Sequence, residues 1–344
     1  MITAAALALA CTPACGTVVD PEQADTDASG ASGDGPSSGA PDERCGPLDP
    51  NRIYVVRAST IPGVHVVTDA EDRDRVCAYA DPEDVVWELP GRIDPADGSL
   101  VVLQSGREAR RPAVLRLQHD WLAPSGDEAT AWIAAMPTPD DVLGIVVGDD
   151  GDCPATAFAR GEVSLAWSDG FYTACERTVA APGGGARSSF ATGRFIGVVD
   201  GAVLVHTDGN SPGAPGSYAA VVDGERVELS PPAGVDRIAH VAARPGPEGL
   251  LAAVRMHHGD LVTLERVWLH PSGITRAGSY DEDPAARTAC VSYAIAADAS
   301  LWCVSDDPVP TLVRAGPTGP AAVAFGLTDG TGPARLLSTG GALR

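Results

Sequence analysis

Asp149, Asp150 and Asp152 are the residues whose type and spacing best suit a metal ion. They surround Gly151 in the stretch VGDDGDC. Hard carboxylate oxygens bunched in a tight loop are ligands that Ca²⁺ prefers. The spacing is not that of an EF-hand, because the glycine comes too early and no glutamate closes the loop. Calcium at these aspartates is the only cofactor that the sequence suggests, and an ordinary acidic turn is the alternative.

Other polar groups have simple structural explanations. The pair His257–His258 precedes a Gly-Asp step, which indicates a hairpin turn, and His119–Trp121 has the composition of a strand end. Adjacent residues of a strand point to opposite faces, so neighbouring histidines rarely bind one metal together. Gly183–Gly185 neither follows a clear strand nor opens a helix, which favours a loop, and Asp281–Asp283 is a second acidic turn. No HExxH, GxSxG, P-loop or dinucleotide-binding motif occurs, so no catalytic residue is predicted.

Six cysteines lie beyond the N-terminal segment and suit disulfides rather than zinc. No CxxC pair and no Cys-His cluster has the spacing of a zinc finger. An even number of cysteines in an exported chain predicts disulfides, and buried free thiols are the alternative. Pairing sequence neighbours gives three local bridges, between Cys45 and Cys77, Cys153 and Cys175, and Cys290 and Cys303.

The N-terminal segment has the order of an export signal followed by a tether. Residues 2–10 (ITAAALALA) are apolar and end at Cys11. The stretch LALAC resembles the lipobox of bacterial envelope lipoproteins, which implies lipidation of Cys11 and a membrane anchor. Residues 16–44 are rich in Ser, Gly, Pro and Asp and have almost nothing to bury, which predicts a disordered acidic linker. The expected organisation is an export signal over residues 1–15, this linker, and a folded domain over residues 45–344.

The overall charge argues against a nucleic-acid partner. The chain of 344 residues carries 24 basic and 46 acidic side chains, a formal charge of −22, and every basic residue is arginine. Nucleic-acid binding needs clustered positive charge, so a nucleic-acid partner is not expected.

Short apolar runs separated by Gly, Asp and Pro predict a mostly β fold. Asp-Gly steps between apolar runs favour two-residue hairpin turns. The clearest cases are FIGVV-DG-AVLVH and YAAVV-DG-ERVEL, which together predict one four-stranded antiparallel unit over Phe195–Leu229. Further units are expected at Ile238–Ala277 and Trp132–Ala174. The best helical candidate is Glu71–Ala80.

The expected fold class is all-β, a single β-propeller of six or seven four-stranded blades. The hairpin Ala297–Cys303 (ADASLWC) resembles those of propellers built on regulator of chromosome condensation-type repeats, which implies the fold and no function. Ring closure hides exposed strand edges, so Ile53–Arg57 is expected beside Ala334–Ser338. Two β-sandwich domains are the alternative.

Two hypotheses about function follow from these features. The first is a non-enzymatic lipoprotein of the bacterial cell envelope that acts as a binding or scaffold module for an unknown protein or carbohydrate, facing the periplasm or the cell surface. The second is an extracytoplasmic glycan-active hydrolase or lyase with its site on one propeller face. A central cavity with two carboxylates within about 10 Å favours the second. A cavity lined by mixed, uncharged side chains favours the first.

Overall fold

Strands make up nearly all of the regular structure in the computed structural model, as the short apolar runs predict. The structure describes residues 47–58, 64–72, 76–80, 85–106, 113–117, 120–121, 141–145, 163–168, 171–175, 177–180, 187–208, 216–286, 288–305, 310–316, 321–324 and 334–339. Within these ranges, the non-strand element is a 3-10 turn at Pro284–Ala286. No helix in the described ranges is long and apolar enough to cross a membrane.

The strands are, in chain order, β1 (Tyr54–Ala58), β2 (Val64–Asp69), β3 (Val76–Ala80), β4 (Val85–Ile93), β5 (Leu100–Gly106), β6 (Ala113–Leu117), β7 (Asp120–Trp121), β8 (Asp141–Ile145), β9 (Val163–Trp167), β10 (Phe171–Cys175), β11 (Thr178–Ala180), β12 (Arg187–Ser189), β13 (Arg194–Val199), β14 (Ala202–Thr207), β15 (Ser217–Val222), β16 (Glu225–Leu229), β17 (Arg237–Gly246), β18 (Gly249–His258), β19 (Leu261–His270), β20 (Gly273–Ser279), β21 (Cys290–Ile295), β22 (Leu301–Ser305), β23 (Thr311–Ala315), β24 (Ala321–Ala324) and β25 (Arg335–Thr339).

These strands form several antiparallel sheets, most of them four-stranded. β9–β12, β13–β16, β17–β20 and β21–β24 each form a separate sheet in which strands consecutive in sequence are neighbours. The remaining strands form a nine-stranded sheet in the order β7-β3-β2-β1-β25-β4-β5-β6-β8. The fold is therefore nearly all β and is built from short hairpins.

Two hairpin turns have the backbone conformation that their Asp-Gly steps predict. Asp200 and Gly201 have φ values of 48° and 76°, and Asp223 and Gly224 have φ values of 49° and 82°. Two successive positive φ values are the signature of a type I′ turn, which matches the twist of the strands that it joins. The predicted four-stranded unit over Phe195–Leu229 is confirmed as the β13–β16 sheet.

The first and last described strands pair with each other. β25 lies between β1, to which it is antiparallel, and β4, to which it is parallel. The expected contact between Ile53–Arg57 and Ala334–Ser338 is confirmed by the pairs of Tyr54 with Leu337 and Val56 with Arg335.

Hydrophobic cores lie between consecutive sheets. One core joins the β9–β12 and β13–β16 sheets, a second joins β13–β16 and β17–β20, and a third joins β17–β20 and β21–β24. A fourth, which includes Ile53, Trp302 and Leu336, joins β21–β24 to the nine-stranded sheet. Contacts between strands of different sheets also occur between β4 and β9, β9 and β13, β13 and β18, β17 and β21, and β21 and β25, and β25 contacts β4 within the nine-stranded sheet.

Two segments differ from the sequence-based description. The best helical candidate, Glu71–Ala80, contains β3 in its second half, whose residues pair with β2 from Val64 to Thr68. The unit expected at Trp132–Ala174 has other bounds, since the β9–β12 sheet runs from Val163 to Ser189. The preceding strand, β8, pairs with β6 instead. Hairpin signals locate turns, but they do not decide which strand begins a sheet.

Candidate functional site

The first strands of several sheets line one cavity of about 360 Å³. This volume lies in the range of small-molecule sites. The lining residues come from β4, β13, β17, β21 and β25, which are the strands at the starts or junctions of their sheets. They are Arg92, Arg194, Ile196, His240, Val241, Ala242, Ala243, Val291, Ser292, Tyr293, Ala294, Arg335 and Leu336.

Irregularities in strand pairing occur beside the cavity in four of its strands. The register shifts between Phe195 and Gly197 in β13, between His240 and Ala242 in β17, and between Cys290 and Ser292 in β21. A fourth shift in β4 ends at Arg92. An unpaired residue in a bulge bends its strand and changes the direction of nearby side chains, which is common next to functional sites. The residues skipped in the first three strands are Ile196, Val241 and Val291, and all three line the cavity.

Three arginines give the cavity its charge. Arg92 lies opposite Ser338 where β4 meets β25, Arg194 begins β13, and Arg335 begins β25. Burial, together with the nearby charge of Arg194, lowers the pKa of Arg92 to about 10. Among the described lining residues none is Asp or Glu. The described lining is thus cationic in a chain whose formal charge is −22.

His240 joins the cavity to two buried aromatic side chains. Its Nδ1 lies 2.8 Å from the hydroxyl of Tyr218, and Tyr218 is 1% exposed. The ring of His206 lies 4.8 Å from that of Tyr218 and 5.9 Å from that of His240, measured between centroids. His206 is held in turn by the carbonyl oxygen of Ile238, 3.3 Å from its Nε2.

Electrostatics keep this aromatic group neutral. Burial, and then the nearby His206 and Arg194, lower the pKa of His240 to about 3. Burial also lowers the pKa of His206 and raises that of Tyr218. At neutral pH the imidazole of His240 is therefore a hydrogen-bonding group without charge, and the arginines alone carry the positive charge of the lining.

This arrangement can bind an anion. Guanidinium groups form charge-assisted hydrogen bonds to carboxylate and phosphate oxygens, often in pairs. Like charges held close together at a partly buried site repel each other, and a bound anion relieves that repulsion. The described lining also has two hydroxyl groups, and each accepts a hydrogen bond within the protein. The Leu336 amide donates to Ser292 at 3.1 Å, and Arg255 donates to Tyr293 at 3.1 Å.

A second cavity, of about 290 Å³, lies where the β13–β14 and β17–β18 turns meet. At its edge Nδ1 of His270 lies 2.7 Å from the Ser272 hydroxyl, and its Nε2 lies 3.1 Å from the Asp200 carboxylate. These side chains are the types found in hydrolase triads, but the ring nitrogens are used in the opposite sense. The Ser272 amide also donates to Nδ1. The hydrogen bonds that link Asp200, His270 and Ser272 therefore stabilise two exposed turns.

The disulfide expected between Cys290 and Cys303 is present, with a Cα–Cα distance of 5.7 Å. Cys175 is also in a disulfide, with a partner outside the described part. Cys11, Cys45 and Cys153 lie outside the described residues, as does the side chain of Cys77. A disulfide is consistent with an extracytoplasmic protein.

The calcium candidates Asp149, Asp150 and Asp152 also lie outside the described residues. Within the ranges that are described, no group of three His, Cys, Asp or Glu side chains is placed to hold a metal. In the second acidic cluster, Asp283 forms an ion pair with Arg255. His258 borders a hairpin turn, and its Nδ1 lies 2.6 Å from the Gly234 carbonyl.

No protein-family model matches the chain, and no curated protein matches it. Among solved structures, it is similar to the crystal structure of TolB from Acinetobacter baumannii, with a TM-score of 0.41 and 11% identity. That match covers 84% of this chain and 67% of the other.

Sequence reasoning missed the residues of the cavity. Arg92, Arg194, His240 and Arg335 each occur in or beside an ordinary strand sequence, with no shared motif. The signal available was indirect: Arg194 and Arg335 each begin a strand, whereas Arg92 lies near the end of β4. Only the order of strands in the sheets brings these residues to one place.

Proposed function

We propose that residues 45–344 form a six-bladed β-propeller. Four blades are the four-stranded sheets from β9 to β24. The nine-stranded sheet supplies the other two, one from β25, β1, β2 and β3, and one from β4, β5, β6 and β8. The cycle of strand contacts and the cores between consecutive sheets support this arrangement. In such a ring β25 closes the fold, and six blades is the lower of the two numbers expected from the sequence.

We further propose that the protein is a lipoprotein of the bacterial cell envelope. The disulfide between Cys290 and Cys303 supports an oxidising compartment. The apolar run, the lipobox-like LALAC and the acidic linker support lipidation at Cys11. The acidic linker predicted over residues 16–44 would join the lipid anchor to the folded domain.

The function that the geometry supports best is binding of a small anionic ligand in the cavity. The observation that carries this proposal is the convergence of Arg92, Arg194 and Arg335, from three different strands, on one cavity with no described acidic lining residue. The ligand bears a carboxylate or a phosphate group, since these are the anions that guanidinium groups bind in pairs. The negative charge of the whole chain favours small anions over polyanions, which the outer surface repels.

This proposal modifies both hypotheses drawn from the sequence. The glycan-hydrolase alternative needs a pair of carboxylates, whereas the charged side chains among the described lining residues are arginines. The binding-module hypothesis anticipated uncharged side chains. A carbohydrate ligand remains compatible with the cavity when the sugar carries an acid group, as uronic acids and sugar phosphates do.

Isothermal titration calorimetry at low ionic strength tests the proposal. The probes are glucuronate and glucose 6-phosphate, with glucose as the neutral control. We expect both anions to bind and glucose not to bind. Arg194→Gln should weaken binding of the anions about 10- to 100-fold, which corresponds to the roughly 1.5–3 kcal/mol of a charged hydrogen bond.

Arg276→Gln is the matched control. It removes the same charge from the outer strand β20, where Arg276 pairs with Glu265 at 3.1 Å and does not line the cavity. Equal weakening by the two substitutions indicates a general effect of net charge and contradicts the proposed site. Binding of glucose as tight as that of glucuronate contradicts an anionic ligand.

A further inference from the structure

Tyr218 and His240 form a hydrogen bond whose direction the surroundings determine. The Tyr218 hydroxyl is buried, and its partner among the described residues is Nδ1 of His240, at 2.8 Å. A buried hydroxyl that only accepts leaves its own proton without a partner, which is unfavourable. The satisfied arrangement has the Tyr218 O–H donating to Nδ1.

This direction determines the tautomer of His240. A neutral imidazole carries one proton, and burial keeps His240 neutral by lowering its pKa to about 3. When Nδ1 accepts, the proton is on Nε2. Nε2 has no hydrogen-bond partner within the described part of the chain, and His240 lines the cavity.

We propose that Tyr218 acts as a positioning residue that holds His240 with its Nε2–H directed to the ligand, so that the cavity selects a fully ionised oxyanion. This inference rests on the proposed anion-binding function. The lining side chains then offer hydrogen-bond donors to a ligand: the guanidinium groups of Arg194 and Arg335, and the imidazole N–H.

The hydroxyls of Ser292 and Tyr293 each accept one hydrogen bond within the protein. A ligand N–H or O–H that meets the guanidinium groups or the imidazole N–H places donor against donor. The cavity should therefore discriminate between a carboxylate and the isosteric amide, which differ in charge and in donor capacity but hardly in shape. Glucuronate and glucuronamide form such a pair of probes.

Two measurements on the full chain test the inference. The first is ¹⁵N NMR of histidine-labelled protein, in which His240 should show a protonated Nε2 and an unprotonated Nδ1. Tyr218→Phe keeps the ring and removes the hydroxyl, so the resonances should move towards those of a mixture of tautomers. The second is calorimetry, in which Tyr218→Phe should weaken glucuronate binding about 3- to 10-fold and reduce discrimination against glucuronamide.

Control variants separate positioning from packing. Tyr280→Phe also removes a buried hydroxyl, one that donates to the Ala299 carbonyl oxygen away from the cavity, and it should leave binding unchanged. His240→Gln retains an N–H donor and should bind glucuronate more tightly than His240→Leu does. Adding Tyr218→Phe to His240→Leu should produce no further loss.

The outcomes separate this inference from the proposed function. A wild-type His240 with its proton on Nδ1, or glucuronate binding that Tyr218→Phe does not change, overturns the positioning role while anion binding stands. Equal affinity for glucuronate and glucuronamide overturns the selection of an ionised oxyanion. A wild-type chain that binds neither glucuronate nor glucose 6-phosphate overturns the proposed function, and the ligand class with it.

Discussion

Val55 lies directly opposite Leu336 in the antiparallel pair that joins β1 to β25. Both side chains are fully buried and belong to one core, which also contains Trp302 and Val304 of the β21–β24 sheet. The two ends of the folded region are therefore held in the same sheet and in the same core. Stability of the N-terminal strands depends on residues at the other end of the sequence.

Removal of residues 335–344 should destabilise the whole domain. The deletion takes away Leu336 and Leu337, both fully buried, and exposes the edges of β1 and β4. Loss of one such leucine side chain costs about 2–5 kcal/mol, and a typical domain has only about 5–15 kcal/mol in total. Thermal melting followed by circular dichroism should show a much lower and broader transition.

Removal of residues 340–344 alone is the control for that truncation, because it keeps β25 intact. An unchanged melt after removal of residues 335–344 contradicts the proposal that β25 closes the ring.

Hairpins could be predicted from the sequence because their signals are local. Asp200-Gly201 and Asp223-Gly224 have the positive φ values that these residue types tolerate. Glu71–Ala80, the best helical candidate in the sequence, shows where local signals are too weak. Its second half is a strand because it pairs with the preceding strand, β2. Pairing with a neighbouring strand overrides weak helical propensity.

Replacing Cys290 and Cys303 together by serine should lower the free energy of unfolding by about 3 kcal/mol. The bridge closes a short loop between residues 13 apart in sequence and restricts the unfolded chain. Urea denaturation of the wild type and the double variant measures the difference. Reductant is a less specific test, since Cys175 is also in a disulfide. A change below about 0.5 kcal/mol, the size of an ordinary surface substitution, contradicts this contribution.

Acidification below neutral pH should destabilise the protein through His240. The pKa of His240 is about 3 in the folded state and 6.5 for the free side chain. The unfolded state therefore binds the proton more readily. The stability contributed by neutral His240 is complete above pH 6.5 and decreases as the pH falls towards 3, by up to about 1.4 kcal/mol per pH unit.

Urea denaturation between pH 7 and pH 4 measures this dependence. His240→Gln should flatten it, and the remaining slope includes His206, whose pKa burial also lowers. The other groups near His240 are Arg194 and Tyr218, and burial raises the pKa of Tyr218, so its hydroxyl stays protonated in this range. His270→Gln, at an exposed turn, is the control. If the free energy of unfolding depends on pH equally in the wild type and in His240→Gln, His240 is not the group responsible.

Cys11 should be the first residue of the mature protein and should carry lipid. Mass spectrometry of protein extracted from the membrane fraction should identify a modified Cys11 peptide, and Cys11→Ser should release the protein from that fraction. Cys15→Ser is the control, because that cysteine lies close by in TPAC. An unmodified N-terminus elsewhere in a freely soluble product contradicts the anchor.

The cavity could not be predicted from the sequence for a physical reason. Arg92, Arg194, His240 and Arg335 acquire a shared environment only through the order of strands. The net charge was also misleading, because a formal charge of −22 summed over the whole chain does not give the sign of the charge in one cavity. The lowered pKa of Arg92 is a property of burial and of a neighbour distant in sequence.

The position of β25 between β1 and β4 also determines when the domain can mature during biosynthesis. While a ribosome is still translating the last sheet, β1 and β4 lack their common neighbour, and the nascent chain holds its early hairpins in an unfinished state. If the chain is exported as we propose, a channel that accepts unfolded polypeptides would receive it before this sheet is complete. Folding would then be completed only after β25 has reached the far side of the membrane.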